Sequence, residues 1–348
     1  MKSRVILLFT IFLIAISISA SNLIAYNWEA VEITGKSPEE RFMHKMVFDQ
    51  KSEKIYLTGG MDYPFSPMKS DVWSFDPKSK KWEEITPTGF IPSNYSDRAY
   101  AYIPSERAIY CWADNSLDDK HKMFVYSIEK KSWSKITPVG ELPTSAAFRV
   151  MTHDPMNNRL LLFGGYFWTQ EKSGILNDTF SWDFKKKEWK RLKTKGITPP
   201  RLKSAMAFQD LDNSRMIVFG GVNPEKPNSD IFAFNFMNNS WEKIDAKGDI
   251  PPGGERYYGI YDPKGKKLIA VGEKKDPKEP TYGLYVFDFA SKKWENIKME
   301  KRVIRKFHEC GAVYSPKEHR MYVYGGFYRV PYKTMFYLEL TPQKEKTK

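Results

Sequence analysis

Short apolar runs, each rich in β-branched and aromatic residues, alternate along this chain with Gly, Pro and charged stretches. One stretch displays the whole unit: it opens at Arg41, continues through Ile55-Tyr56-Leu57-Thr58-Gly59-Gly60 and Asp71-Val72-Trp73-Ser74-Phe75-Asp76, and ends at Trp82-Glu83-Glu84-Ile85. Four such runs separated by turn residues predict four consecutive antiparallel strands. The unit then repeats. Trp82, Trp133, Trp189, Trp241 and Trp294 follow at intervals of 51, 56, 52 and 53 residues, and Trp28 lies 54 before the first. A period near 50 with strand content predicts a propeller array.

Alignment on these tryptophans fixes a register. Nine residues before each stands an aromatic (Trp73, Phe124, Phe180, Phe232, Tyr285), and seven before stands another (Phe75, Tyr126, Trp182, Phe234, Phe287). A step of two puts both on one face of a strand. Upstream runs end in Gly59-Gly60, Gly164-Gly165, Gly220-Gly221 and Gly325-Gly326, whereas Ala113-Asp114 and Gly272-Glu273 depart from the pair. Paired glycines permit close packing or a positive φ. The second repeat is accordingly expected to have the least regular inner edge, with the connection 115–121 displaced.

This combination resembles the kelch repeat of β-propellers over about residues 26–340. Six copies of the strand-plus-glycine element occur, but the last, Phe307 to Leu340, lacks its tryptophan, and Asn27-Trp28-Glu29-Ala30-Val31 supplies one with no repeat before it. The expected fold is therefore all-β: a six-bladed kelch-type propeller, its ring closed by the N-terminal strand joining the C-terminal blade. Residues 341–348 form a polar tail.

Composition modifies this picture at two places. Formal charge is +13, concentrated in lysine runs such as Lys78 to Lys81 and Lys185 to Lys187, which fit solvated turns. Residues 1–21 carry Lys2 and Arg4, then an apolar run from Val5 to Ile18, then small residues. That order is a secretory signal and makes a secreted or periplasmic location the expectation. Cys111 and Cys310 fall in strand-like runs of different repeats and are expected as free thiols. Asn94, Asn177 and Asn238 begin glycosylation acceptor triplets.

Function is expected on the face that carries the longer loops. Loop aromatics beyond the blade pattern, among them Tyr63, Trp168 and Tyr328, suit stacking on sugars or anchoring a protein. An arginine also stands near the start of every innermost strand. Counted from each strand's last aromatic, Arg41 and Arg201 share a register, and Arg256 and Arg305 lie two residues off in opposite directions. These four are the expected pocket arginines, since a guanidinium fork suits a carboxylate, sulfate or phosphate, and the kelch resemblance implies arginines lining the central pocket. Their structural role would be pairing with Glu40, Asp97 or Glu255.

The five histidines show no metal spacing, and no nucleophile elbow or phosphate loop is present. No cofactor or metal is expected. The expected activity is binding of a protein or an anionic carbohydrate by a monomer, with nucleic acid not the expected partner. The resemblance also implies an enzyme alternative, a sialic-acid mutarotase-like isomerase using Glu40, Glu255 or Glu273, and a second alternative, a structural interaction scaffold.

Overall fold

The computed structural model describes residues 26–62, 69–92, 99–113, 121–273, 282–297, 308–328 and 330–341. The expected signal over 1–21 lies outside them, as do the tail 341–348 except Thr341 and the connection 115–121 except His121. Among the described residues every regular element is a β-strand, and they form six antiparallel blades.

Blade I consists of Lys45–Asp49, Lys54–Thr58, Val72–Asp76 and Lys81–Ile85, taken from the axis outwards. The inner strands of blades II to VI are Ala99–Ile103, Val150–Asp154, Lys203–Asp210, Tyr258–Asp262 and Gly311–Ser315. Blade VI is completed by Trp28–Ala30, which pairs antiparallel with Met335–Glu339 in the register Trp28 to Leu338. The ring therefore closes as the lone upstream tryptophan predicts.

The apolar residues that recur serve the contacts between blades. Six buried clusters occur among the described residues, and each joins two neighbouring blades. The outer-strand tryptophan faces its predecessor: Trp241 meets Phe163 of blade III at 5.0 Å, and Trp294 meets Phe219 of blade IV at 5.0 Å. Each outer tryptophan of blades I to V also packs on the aromatic seven residues upstream, because the two residues are opposite one another in the outer hairpin, as with Phe75 and Trp82. Burying these large rings takes apolar area out of water at each contact between blades, so the pattern that defines the repeat also helps to stack them.

The lysine runs occupy turns. Lys80, Lys131, Lys187 and Lys292 take positive φ in the outer hairpin turns, and in three of these Asp76, Asp183 and Asp288 accept backbone N–H bonds from Lys78, Lys186 and Ser291. Such turns need a flexible polar residue in the left-handed region and leave its ammonium in solvent.

A further element is absent from the sequence expectation. After leaving one blade, the chain runs for two residues parallel to the outer strand of the next. Thr88–Gly89 lies beside Ser132–Trp133, Val139–Gly140 beside Glu188–Trp189, Lys195–Gly196 beside Ser240–Trp241, and Lys247–Gly248 beside Lys293–Trp294. In each case the residue after the glycine donates its N–H to the tryptophan carbonyl at 2.9–3.0 Å. The glycines are required at this close approach: all four have φ between +75° and +86°, and a Cβ would sit 2.1–2.5 Å from the tryptophan oxygen. These links cover the outer edges of blades II to V and tie each blade to the next.

Candidate functional site

The six inner strands surround a channel of about 920 Å³. The backbone approaches them through a kink: Met43, Phe148, Ser204 and Glu309 have φ between 56° and 60°, each just before or at the start of an inner strand. Each kink residue and the residue after it line the channel. Charged residues lining the channel are Lys45, Arg149, Lys203 and Arg256 against Glu255, Glu309 and Asp212. Asp212 follows the strand Lys203–Asp210 and so lies at the opposite end.

The residues that end the inner strands give the arginines a different register from the one counted from the last aromatic, because Phe48 stands one residue before Asp49 and Phe208 two before Asp210. Asp49, Asp154, Asp210 and Asp262 end equivalent inner strands, each opposite the first residue of the second strand. Counted from them, Arg41 is eight residues back, Arg201 nine, Arg256 six and Arg149 five. Arg41 and Arg201 therefore do not share a position.

Arg41 is fully buried. Its fork grips both oxygens of Asp71 at 2.7 Å, and it also donates to the carbonyls of Gly59 and Glu39 at 3.0 and 3.1 Å. Four of its five N–H groups are engaged within the protein, so Arg41 is corrected from a ligand residue to one that holds the fold. Burial raises the Asp71 carboxyl, but hydrogen bonding and charge from Arg41, with the Trp73 N–H, outweigh it and hold the group below its ordinary range. Arg149 is a related case, bonded to Asp178 and to the Thr144 carbonyl. Arg201 is exposed and is not among the channel-lining residues. Arg256 is exposed and does line the channel. Arg305 and Tyr63 lie outside the described residues, as does the side chain of Tyr328.

The residues brought together at the mouth are Phe148, Tyr166, Trp168, Lys203 and Glu255. A hairpin, Tyr166–Trp168 paired with Ser173–Ile175, follows the glycine pair of blade III. On it Trp168 stacks on Tyr166, with centroids 6.0 Å apart and ring planes at 26°, and remains 49% exposed. Lys203 Nζ lies 5.4 Å from the Tyr166 ring and 5.7 Å from Phe148, and 3.2 Å from Glu255. Rings and carboxylate together fix an ammonium at the rim. The sequence singled out Trp168 and Glu255 but passed over Lys203 and Phe148. Their signal was position: Lys203 begins an inner strand, and Phe148 is the kink residue before another. Glu40, a candidate acid for the isomerase alternative, is exposed and outside the channel lining, while Glu273's side chain lies outside the described residues. Among the described residues no group of three His, Cys, Asp or Glu could hold a metal.

The seam between blades I and VI carries a buried histidine. His44 Nε2 accepts the Gly311 N–H at 3.2 Å, and its ring meets Tyr324 edge-on. Burial, then the charges of Arg41 and Lys45, pushes its pKa well below the ordinary value. At the far end the strand-terminal aspartates knit blades together: Asp49 accepts from Tyr102 and Arg107 of blade II, and Asp210 from Tyr261 of blade V. Cys111 is buried and Cys310 half-buried, neither is in a disulfide, and Cys310 lines the channel.

Sequence comparison adds relatives. Residues 101–326 match the family profile described as KLHDC2/KLHL20/DRC7 Kelch-repeats domain, and residues 52–89 match that of the Kelch motif. Acyl-CoA-binding domain-containing protein 4 of Arabidopsis thaliana is 23% identical over 274 residues, covering 75% of this chain and 39% of its own length. Leucine-zipper-like transcriptional regulator 1 of Homo sapiens is 24% identical over 259 residues, covering 70% and 29%. The dynein alpha chain of the Chlamydomonas reinhardtii flagellar outer arm is 30% identical over 122 residues, covering 34% and 3%. The chain thus spans well under half the length of these relatives.

Proposed function

The chain belongs to the kelch-repeat family, and from that premise we propose that it is a protein-binding propeller whose partner docks on the loop face, across the channel mouth formed by blades III, IV and V. The observation that carries this reading is the cluster of Trp168, Tyr166 and Phe148 around Lys203. Aromatic rings with one exposed face, set beside a held cation, are the composition of an interaction hot spot rather than of a solvated rim. Arg256 extends the positive charge along the mouth, which favours an acidic partner segment.

An anionic carbohydrate is the second reading. It is supported by the Trp168–Tyr166 stack, because a half-exposed ring can also bear a sugar. We further propose export, on the strength of the charged, apolar and small-residue order of residues 1–21.

Affinity capture from the source cell's secretions with the wild-type protein and a Trp168→Ala, Arg256→Glu double variant tests the first reading. A stable protein partner retained by the wild type and lost by the variant is expected. Equal recovery by both would move the docking face elsewhere. N-terminal mapping of the purified natural protein tests export, which fails if the chain still begins at Met1.

A further inference from the structure

We infer that Glu255 is a built-in occupant of this mouth, holding Lys203 until a carboxylate of the partner displaces it. The partner segment is then one that carries acidic side chains next to an aromatic or apolar one. This rests on the loop-face docking reading above and specifies its chemistry.

Three observations carry it. First, the pair is built to exchange. Lys203 and Glu255 come from consecutive blades, meet at 3.2 Å, and have side chains 26% and 45% exposed. A pair of that exposure is weak and is open to an approaching anion.

Second, Lys203 does not depend on Glu255 for its position. Phe148 and Tyr166 lie within 5.7 and 5.4 Å of Nζ, and attraction to their rings keeps the ammonium at the rim after the carboxylate leaves. The incoming acid therefore meets a placed cation and forms a charge-assisted bond without ordering a long side chain.

Third, the ledge beside it has the right second component. Trp168, stacked on Tyr166 and 49% exposed, offers an apolar face one ring away from the ammonium. A segment with an acid and a neighbouring apolar side chain engages both. An isolated charge engages only Lys203.

The placeholder role makes a signed expectation. An exposed ion pair contributes about 0.2–1 kcal/mol, so releasing Lys203 from Glu255 should tighten binding of an acidic segment by about 1.4- to fivefold. The gain must vanish when Lys203 carries no charge.

The test is fluorescence anisotropy at low salt with a labelled peptide of five glutamates and one phenylalanine. Its all-glutamine counterpart and a hyaluronan hexasaccharide serve as competitors. Proteins compared are the wild type, Glu255→Gln, Lys203→Met and the double variant, with Lys203→Gln as a second neutral replacement and melting curves to verify folding. Expected results are binding of the acidic peptide, no competition by the glutamine peptide, tighter binding by Glu255→Gln, and loss of that gain in either Lys203 background. A gain that persists without Lys203, or no gain at all, overturns the placeholder role while leaving the docking face intact. Binding of the peptide by no variant overturns the acidic-segment chemistry together with the placeholder. Binding of a labelled hyaluronan hexasaccharide where no variant binds the peptide assigns the mouth to a carbohydrate and overturns the protein-segment inference.

Discussion

Replacing Gly196 by alanine measures what the parallel links contribute. At φ +75° the substitution forces alanine into the left-handed region, which costs about 1–2 kcal/mol. Space is the second obstacle: the new Cβ would lie 2.2 Å from the Trp241 carbonyl oxygen and 3.3 Å from its carbon, both backbone atoms that cannot swing aside. The link must lift, and with it go the bonds from Lys195 N–H to Asn239 and from Ile197 N–H to Trp241, at 3.1 and 2.9 Å. Each such bond is worth about 0.5–1.5 kcal/mol net, so the whole loss is about 2–5 kcal/mol.

Gly35 supplies the control within the same molecule. Its φ is +85°, yet no atom lies within 4 Å of where a Cβ would stand, so Gly35→Ala should lose only the conformational cost of about 1–2 kcal/mol. Urea unfolding followed by tryptophan fluorescence compares the two variants with the parent. A clearly larger loss for Gly196→Ala is expected. Equal losses would refute the reasoning, because they would mean the link glycine matters only for its backbone freedom and not for its approach to Trp241.

Three more expectations follow from the ring contacts. His44, with its folded pKa depressed, binds fewer protons than in the unfolded chain once the pH drops below about 6.5. Stability should therefore fall towards acid at up to about 1.4 kcal/mol per pH unit from this group, and His44→Gln, which keeps an acceptor for the Gly311 N–H, should flatten the slope; an unchanged slope in urea titrations from pH 7 to 5 would refute the assignment. Asp71→Ala strands the buried Arg41 charge and should cost about 3–5 kcal/mol, a loss read by the same unfolding assay, without changing affinity for the acidic peptide. Trp28→Ala removes a ring buried in the blade V–VI cluster and should cost about 3–5 kcal/mol by cavity formation, and a loss below 1 kcal/mol in the melting curve would contradict the closure geometry.

The blade count, the closing strand and the tryptophan register were legible because they rest on side chains that alternate strictly within extended strands. Phe75 and Trp82 announce a hairpin whether or not the blade's neighbours are known. The pocket arginines were not legible by the same counting. Between Arg41 and Lys45 the chain passes through the left-handed residue Met43, and a kink of that kind breaks the two-residue alternation that counting back from the strand assumes. The aspartates that end the inner strands were the better ruler, since Asp49, Asp154, Asp210 and Asp262 hold equivalent positions.

The links were missed for another reason. Two residues, one of them a glycine, carry no periodicity of their own, although Thr88-Gly89, Val139-Gly140, Lys195-Gly196 and Lys247-Gly248 recur in step with the tryptophans. Lys203 was missed because a lysine among 55 basic residues is conspicuous only when the rings around it are seen.

The pairing of Trp28 with Leu338 joins residues 310 positions apart in the sequence, while every other strand pair among the described residues lies within one blade or links a blade to the next. During synthesis, blades I to V can acquire their own strands in order, each docking on the one before. The strand that carries Trp28 emerges first yet has no partner until Met335–Glu339 is made. Its apolar edge must wait through almost the entire elongation, so sealing the ring is the slowest contact to search for and the last to form. Folding intermediates of this protein should therefore be open arcs that lack one joint, and a helper that shields residues near Trp28 would act on yield and leave the finished ring unchanged.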